Sequence, residues 1–189
     1  KIEGLEVLEK IKEEKKPVIF ISGHFNNFEL MAMIIEKNKI DVSALYRPLN
    51  NIFLNKIMEK IRKKYICKNQ IPKGAGSSRN LLKAFNSGSS IAIMIDQRVS
   101  EGKKISFFKN KALTTTIPAQ LIKRFDCKVI PVHIQRDNKY YFAINFDEPL
   151  KFRSTNNLDE ITLNLNLWLE NMILKNPTQW IWTHNRWKL

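Results

Sequence analysis

Val18-Ile19-Phe20-Ile21-Ser22-Gly23-His24-Phe25-Asn26-Asn27-Phe28-Glu29 is the stretch on which the fold turns. Four consecutive apolar residues after Pro17 read as a strand buried on both faces, because a half-exposed strand would alternate polar with apolar. Gly23 and His24 read as a turn. Asn27 to Asn38 (NFELMAMIIEKN) reads as a helix, with Asn26 or Asn27 as its cap. A buried strand that turns straight into a helix is the repeating unit of a layered α/β protein.

The alternation continues on either side. Residues 1–16 carry Ile2, Leu5, Leu8 and Ile11 three apart among charges, an amphipathic helix that Pro17 ends. Downstream, Val42 to Tyr46 is a strand, and Asn50 to Tyr65 a helix with Ile52, Phe53, Ile57 and Ile61 as its apolar positions. Gln70 to Ser77 is a loop, Ser78 to Phe85 a short helix and Ser90 to Ile95 a buried strand. Thr116 to Phe125 is a helix with Pro118 in its first turn. Lys128 to Gln135 and Tyr140 to Phe146 are strands joined by an Asp137-Asn138 turn, and Leu158 to Lys175 is the last long helix. The expectation is one α/β domain over residues 1–189, with a central, largely parallel mixed sheet flanked by helices. Sites in such sheets gather beyond the carboxyl ends of strands. His24 and Asp96 both stand there.

Composition sets the limits. At 189 residues the chain has room for one real core and is thin for two. With 43 % apolar and 26 % charged residues, it is neither disordered nor fibrous. Cys67 and Cys127 lie sixty positions apart, which is no disulfide framework and no CxxC site, and suits a reducing compartment. Lys plus Arg is 32 against 18 for Asp plus Glu, a net charge of +14. Lys, Ile and Asn number 24, 24 and 19 against 8 Arg; their AT-rich codons mean that base composition alone could inflate the lysine count. The excess still attracts anions, whether nucleic-acid phosphate, an anionic membrane or an acidic carrier protein. No apolar run approaches the roughly 20 residues that span a bilayer. Lys1 in place of Met suggests an excerpt of a longer protein.

Four stretches could carry chemistry. In Gly23 to Glu29, a His leaves a buried strand and a carboxylate follows five positions later. Folded back, Glu29 would hold one imidazole nitrogen and leave the other as a base. The same spacing fits a His that caps a helix beside a solvated Glu29. Tyr46-Arg47-Pro48-Leu49-Asn50-Asn51 puts an Arg past the second strand, suited to bidentate phosphate or simply exposed. Met94-Ile95-Asp96-Gln97-Arg98 again sets polar groups after an apolar run, or is a strand-end turn. Ile71 to Arg79 could cradle a phosphate but lacks GxxxxGK[ST], and a flexible loop is its default. The fourth, Pro177 to Lys188, holds three of the four Trp. It reads as a terminal strand whose aromatics pack the sheet, rather than an interfacial belt. His133 lies inside a strand and reads as structural. No His or Cys pair has metal-ligand spacing, and GxSxG is absent.

In order, HxxxxE at His24–Glu29, YRPLNN at 46–51, DQ at 96–97, FF at 107–108 before Thr114–Thr116, and PxQWxWxHxRW at 177–187 resemble the lipid A biosynthesis acyltransferases. These are the late lauroyl/myristoyl transferases within the wider glycerolipid acyltransferase superfamily. The resemblance runs from Gly4 onward. It departs where the family often has Gly-Asn-Trp before the carboxylate and this chain has Asn26-Asn27-Phe28, and in the family's N-terminal hydrophobic anchor, which this sequence does not contain.

The resemblance implies transfer of a fatty acyl chain from acyl carrier protein to a hydroxyl of a phosphorylated lipid A precursor. It implies work at the cytoplasmic face of a bacterial inner membrane, against an anionic membrane surface. His24 would be the general base and Glu29 its orienting partner. Asn27, Arg47, Asn50, Asp96, Gln97 and Arg98 would bind substrate, Arg47 through phosphate. The acyl thioester is a co-substrate, and no metal or other cofactor is implied. Met31, Met33, Phe53 and Phe108 are candidates to line the acyl pocket. Two alternatives stand beside this reading. One is an acyltransferase of the same superfamily with another phospholipid or glycolipid acceptor. The other is a basic nucleic-acid-binding module, although no RRM, KH, zinc-finger or helix-turn-helix signature is present.

Overall fold

The computed structural model describes residues 1–188, and they build the layered α/β fold that the alternation predicts. In chain order the elements are β1 (Ile2–Glu3), α1 (Leu5–Glu14), β2 (Ile19–Ser22), α2 (Leu30–Lys37), β3 (Val42–Tyr46), α3 (Ile52–Tyr65), β4 (Asn69–Pro72), α4 (Ser77–Asn86) and β5 (Ser90–Met94). There follow β6 (Lys103–Phe107), β7 (Asn110–Thr114), α5 (Ile117–Phe125), β8 (Val129–Asn138), β9 (Tyr141–Phe146), α6 (Leu158–Lys175) and a 3₁₀ turn at Pro177–Gln179.

Seven strands form one sheet in the order β1-β9-β8-β2-β5-β3-β4. Every neighbouring pair is parallel except β8 with β9. β2 is central, with Ile19 facing Val129 on one side and Ile91 on the other. Ile19 and Ile21 pack into a core with Leu81, Leu121 and Leu165 of α4, α5 and α6. Val18 and Phe20 point the other way, into a core with Leu8 of α1 and Ile35 of α2. Helices on both faces are why this strand reads as an unbroken apolar run.

Several elements differ from expectation. The first helix starts at Leu5, because Ile2 and Glu3 pair in parallel with β9. Gly4 makes that corner at φ +75, where a Cβ would lie 2.1 Å from the Phe146 carbonyl oxygen. The second helix starts at Leu30, and neither Asn26 nor Asn27 caps it; the Glu29 position precedes it without a side-chain cap. Asn26 stands at φ 43, and its amide donates to the Gln179 side chain. The loop expected from Gln70 begins as edge strand β4. Asp137 and Asn138 lie within β8, beside an irregularity in its pairing with β9. The antiparallel hairpin β6–β7, Lys103 opposite Thr114, has no counterpart in the reading of the sequence.

The C-terminal stretch is not a strand. It makes one isolated bridge, Trp180 with Phe25. Its hydrogen bonds go to separate elements: Ile181 N–H to the His24 carbonyl, the Arg186 guanidinium to Leu113 O at 2.8 Å, and the Trp187 indole to Phe107 O at 3.0 Å. No single neighbour is available for a ladder. The stretch is a strap from the end of β2 to the β6–β7 hairpin.

Candidate active site

His24 and Asp96 meet because their strands are in register. Ser22 of β2 pairs with Met94 of β5, so the residues two beyond each strand end side by side. The imidazole Nδ1 lies 2.6 Å from Asp96 Oδ1, and the His24 backbone N–H donates to Oδ2 at 2.7 Å. The Trp180 indole N–H donates to the same Oδ2 at 2.8 Å. Gly23 allows this crowding, since a Cβ there would lie 2.8 Å from Leu169 Cδ1 and 2.9 Å from the Phe25 ring.

Asp96 is only 3 % exposed. Burial pushes its carboxyl up, but the His24 ring and backbone N–H, together with the Trp180 indole, outweigh burial and hold it below the usual carboxylate range. An ionised Asp96 fixes the tautomer: Nδ1 carries the proton and Nε2 is left as the acceptor. The Gln97 amide nitrogen lies 3.4 Å from Nε2, and the Phe28 ring stands edge-on with centroids 4.5 Å apart.

Glu29 does not hold the imidazole. Its Oε1 accepts from Arg62 Nε of α3 at 2.8 Å. The turn through Asn26 and Asn27 carries Glu29 to the start of α2, where it faces α3, while Asp96 takes Nδ1. Asp96, expected among the substrate-binding residues, instead has both oxygens occupied by protein donors. It is the partner of His24.

Beside His24 lies a cavity of about 820 Å³, lined also by Glu29, Arg47, Arg62, Lys73 and Gln97. Met31, Ala92, Ile93, Met94 and Ile117 give it an apolar part. Of the expected lining residues only Met31 is there; Met33, Phe53 and Phe108 are not, and Phe53 is 81 % exposed. Asn27 and Asn50 are exposed and outside the lining. The Asn27 carbonyl accepts from Leu30 N–H at 3.1 Å, closing the turn that leads into α2. Arg98 turns from the cavity to Lys188 O, 2.6 Å from its Nε, and to Ser100 Oγ, 3.2 Å from Nη1. Its backbone N–H donates to His184 Nε2 at 2.8 Å. Arg98 therefore ties down the strap.

Of three further cavity residues only Arg62 had no motif to announce it; Tyr46 and Lys73 lie within YRPLNN and the Ile71–Arg79 loop but were not themselves expected at the site. Arg62 pairs with Glu29 and lies over the Tyr46 ring at 5.3 Å, while its Nη1 is buried with no partner among the described residues. Burial, then the neighbouring Arg47 charge, lowers the Lys73 ammonium from its ordinary value. Burial and a 2.6 Å hydrogen bond to Glu59 push the Tyr46 phenol up to about 12, so it remains a donor. Trp180 was visible only as part of the terminal motif; its indole on Asp96 is not written in any spacing. The Gly74–Ser78 part of the Ile71–Arg79 loop borders the cavity.

The other imidazoles are placed differently. His133 is edge-on to Phe25 with centroids 5.3 Å apart, and burial lowers its pKa. Burial likewise lowers His184. Among the described residues no three His, Cys, Asp or Glu side chains converge as metal ligands. No helix among them is long and apolar enough to cross a membrane.

A buried carboxylate, a tautomer-fixed imidazole and a part-apolar, part-cationic cavity stand together past the ends of β2 and β5, an arrangement that can accept a proton beside a space that can seat an amphiphilic anion. The chain is 23 % identical over 192 residues to the lipid A biosynthesis palmitoleoyltransferase of Escherichia coli (strain K12) and, equally, to the lipid A biosynthesis acyltransferase of Shigella flexneri. It spans 61 % of the length of each of these relatives, which cover 99 % of this chain. The crystal structure of the 1-acyl-sn-glycerophosphate acyltransferase PlsC from Thermotoga maritima matches with a TM-score of 0.55 at 13 % identity, over 95 % of this chain and 73 % of that one. That likeness speaks to the fold, an acyltransferase-like α/β sheet with helices on both faces. The model of the bacterial lipid A biosynthesis acyltransferase family matches residues 1–189, and the chain belongs to that family.

Proposed function

We propose that the chain transfers a fatty acyl group from an acyl carrier protein thioester to a hydroxyl of a phosphorylated lipid A precursor. The observation that carries the reading is the Asp96–His24 pair beside the cavity, with Nε2 left as an acceptor whose neighbour is the Gln97 amide at 3.4 Å. His24 Nε2 takes the proton of the acceptor hydroxyl as its oxygen attacks the thioester carbonyl. The tetrahedral intermediate collapses, the carbon–sulfur bond breaks, and the imidazolium returns the proton to the departing thiolate. The products are an ester and a free carrier thiol. General-base catalysis of this kind contributes about 10²–10⁴-fold.

Asp96 takes the orienting role that the HxxxxE spacing suggests for Glu29, and it stabilises the imidazolium. Glu29 holds Arg62 in the cavity wall. Arg47, Arg62 through its unpartnered Nη1, and Lys73 meet the acceptor's phosphate, while Met31, Ile93 and Ile117 receive acyl chain. Gln97 donates toward the carbonyl oxygen as it gains charge. The thioester supplies the leaving group, so the step as written balances without a further cofactor. An acidic carrier and an anionic membrane surface at the cytoplasmic face of the inner membrane suit the +14 charge.

The test is mass analysis of a phosphorylated tetra-acyl lipid A precursor after incubation with acyl carrier protein thioester. The expected product is one acyl chain heavier and is lost in His24→Ala. A folded protein that leaves the precursor unchanged while acylating a glycerol phosphate or glycolipid acceptor would transfer the chemistry to that acceptor.

A further inference from the structure

α3 is an amphipathic helix turned inside out. Its half-buried face carries Asn55, Met58, Glu59 and Arg62. The polar groups on that face are paired inward. Asn55 Oδ1 accepts from Leu49 N–H at 2.9 Å and its amide donates to Glu59 at 2.7 Å; Glu59 accepts from Tyr46, and Arg62 holds Glu29. The apolar residues point outward: Ile52 is 71 % exposed, Phe53 81 %, Leu54 53 %, Ile57 54 % and Tyr65 57 %. No residue of the helix is buried. Fourteen residues of polar-in, apolar-out helix are ill suited to water, where a continuous apolar patch marks a docking surface.

We propose that the outer face of α3 docks on an anionic lipid bilayer and holds the cavity mouth against it. Two observations select a bilayer as the occupant. Lys56, Lys60 and Lys63, all exposed, line one side of the Phe53–Ile57–Ile61 stripe, and Lys64 stands at its C-terminal end, an arrangement that suits a helix lying in an anionic headgroup layer. The same helix gives Arg62 to the cavity wall, with Ile66 just past its end, so a docked α3 sets the cavity at the membrane surface. A second copy fits poorly, because a two-fold contact through this face would bring its lysines together on chains of charge +14 each. The proposal deepens the acyl-transfer reading, in that it names the surface through which a lipid acceptor reaches His24.

The test is flotation of the protein with phosphatidylethanolamine/phosphatidylglycerol vesicles, beside phosphatidylcholine vesicles, with no turnover required. Phe53→Ser/Ile57→Ser is expected to lower binding to the anionic vesicles about tenfold or more. Lys56→Glu/Lys60→Glu is expected to lower it by at least about fivefold, and added salt to weaken the wild type. Tyr140→Ser/Tyr141→Ser, at the exposed β8–β9 turn, keeps wild-type binding. All variants should keep the wild-type melting curve, since the changes are on exposed side chains. Wild-type binding by the Phe53/Ile57 variant would overturn the proposal. So would a Phe53-dependent dimer in sedimentation with no vesicle binding. Transfer to detergent-dispersed precursor, measured in parallel, separates the two readings. Vesicle binding that depends on α3, in a protein that acylates nothing, would keep the docking surface and remove the acyltransferase.

Discussion

α6 and α3 both repeat apolar residues at helical spacing, and they use them in opposite ways. α6 buries Ile161, Leu165, Leu169, Met172 and Ile173 against the sheet, and α3 buries nothing. The difference lies in the polar groups that turn inward. On α6 these are Thr162 and Asn166, set among apolar residues and bonded to Leu158 O and Ser106 O, whereas the inward face of α3 is committed to the Tyr46–Glu59 and Arg62–Glu29 pairs. Periodicity thus reports that a helix has two faces. Which one turns inward is decided by the partners that other segments supply. Of the two helices only α3 lines the cavity, through Arg62, as a thin polar wall backed by exposed apolar residues; α6 stands behind the site, where Leu169 supports the Gly23 turn.

The largest stability effect that would sharpen this contrast is expected at Leu169. Leu169→Ala leaves a void beside Gly23 and Phe25 and should cost about 2–5 kcal/mol, read as a lower denaturant midpoint at unchanged slope. A loss under about 0.5 kcal/mol would mean that α6 is no better packed than α3.

Acidification comes next. Burial lowers His133 and His184 below the ordinary value of 6.5. Between the folded and unfolded values the unfolded chain binds more protons, so this part of stability is complete above 6.5 and is lost as pH falls through the lowered values. The depressed Asp96 follows the same sign lower down: its contribution is present above 3.8 and is lost as pH falls through the folded value. Thermal melts from pH 7 to 5 should show a falling midpoint, with a shallower fall in His133→Gln. An identical pH dependence in that variant would separate His133 from the effect. The smallest effect is on α3. Ile57→Ala, at an outward position, should stay within about 0.5 kcal/mol of wild type by the same denaturant measurement.

The core of the fold was legible because its buried strands are short apolar runs bounded by turns and set between helical patterns. β2, followed by α2, and β5, preceded by α4, show it plainly. β6 and β7 were not, since Lys103, Lys104, Asn110 and Lys111 lie exposed on a hairpin away from the main sheet. The strap escaped for the opposite reason: its Trp and Arg suggest a strand, but their partners are scattered over His24, Phe107 and Leu113. At the site, His24 and the cavity positions of Arg47 and Gln97 were readable from their places after strands. The pairing was not. Glu29 is five residues from His24 and Asp96 is seventy-two, yet parallel register brings the distant carboxylate onto the imidazole. One signal was available: His24 and Asp96 each stand within three residues of the end of a buried apolar run, Val18–Ile21 and Ile91–Ile95.

The account therefore rests on which carboxylate serves His24. The most direct measurement is steady-state acyl transfer by Asp96→Asn and Glu29→Gln, with kcat and the acceptor KM separated and folding checked by melting. The account predicts a fall in kcat of about 10²-fold or more for Asp96→Asn. For Glu29→Gln it predicts mainly a raised acceptor KM, because Arg62 loses its anchor. A Glu29→Gln variant with the larger fall in kcat, beside an Asp96→Asn variant close to wild type, would contradict it.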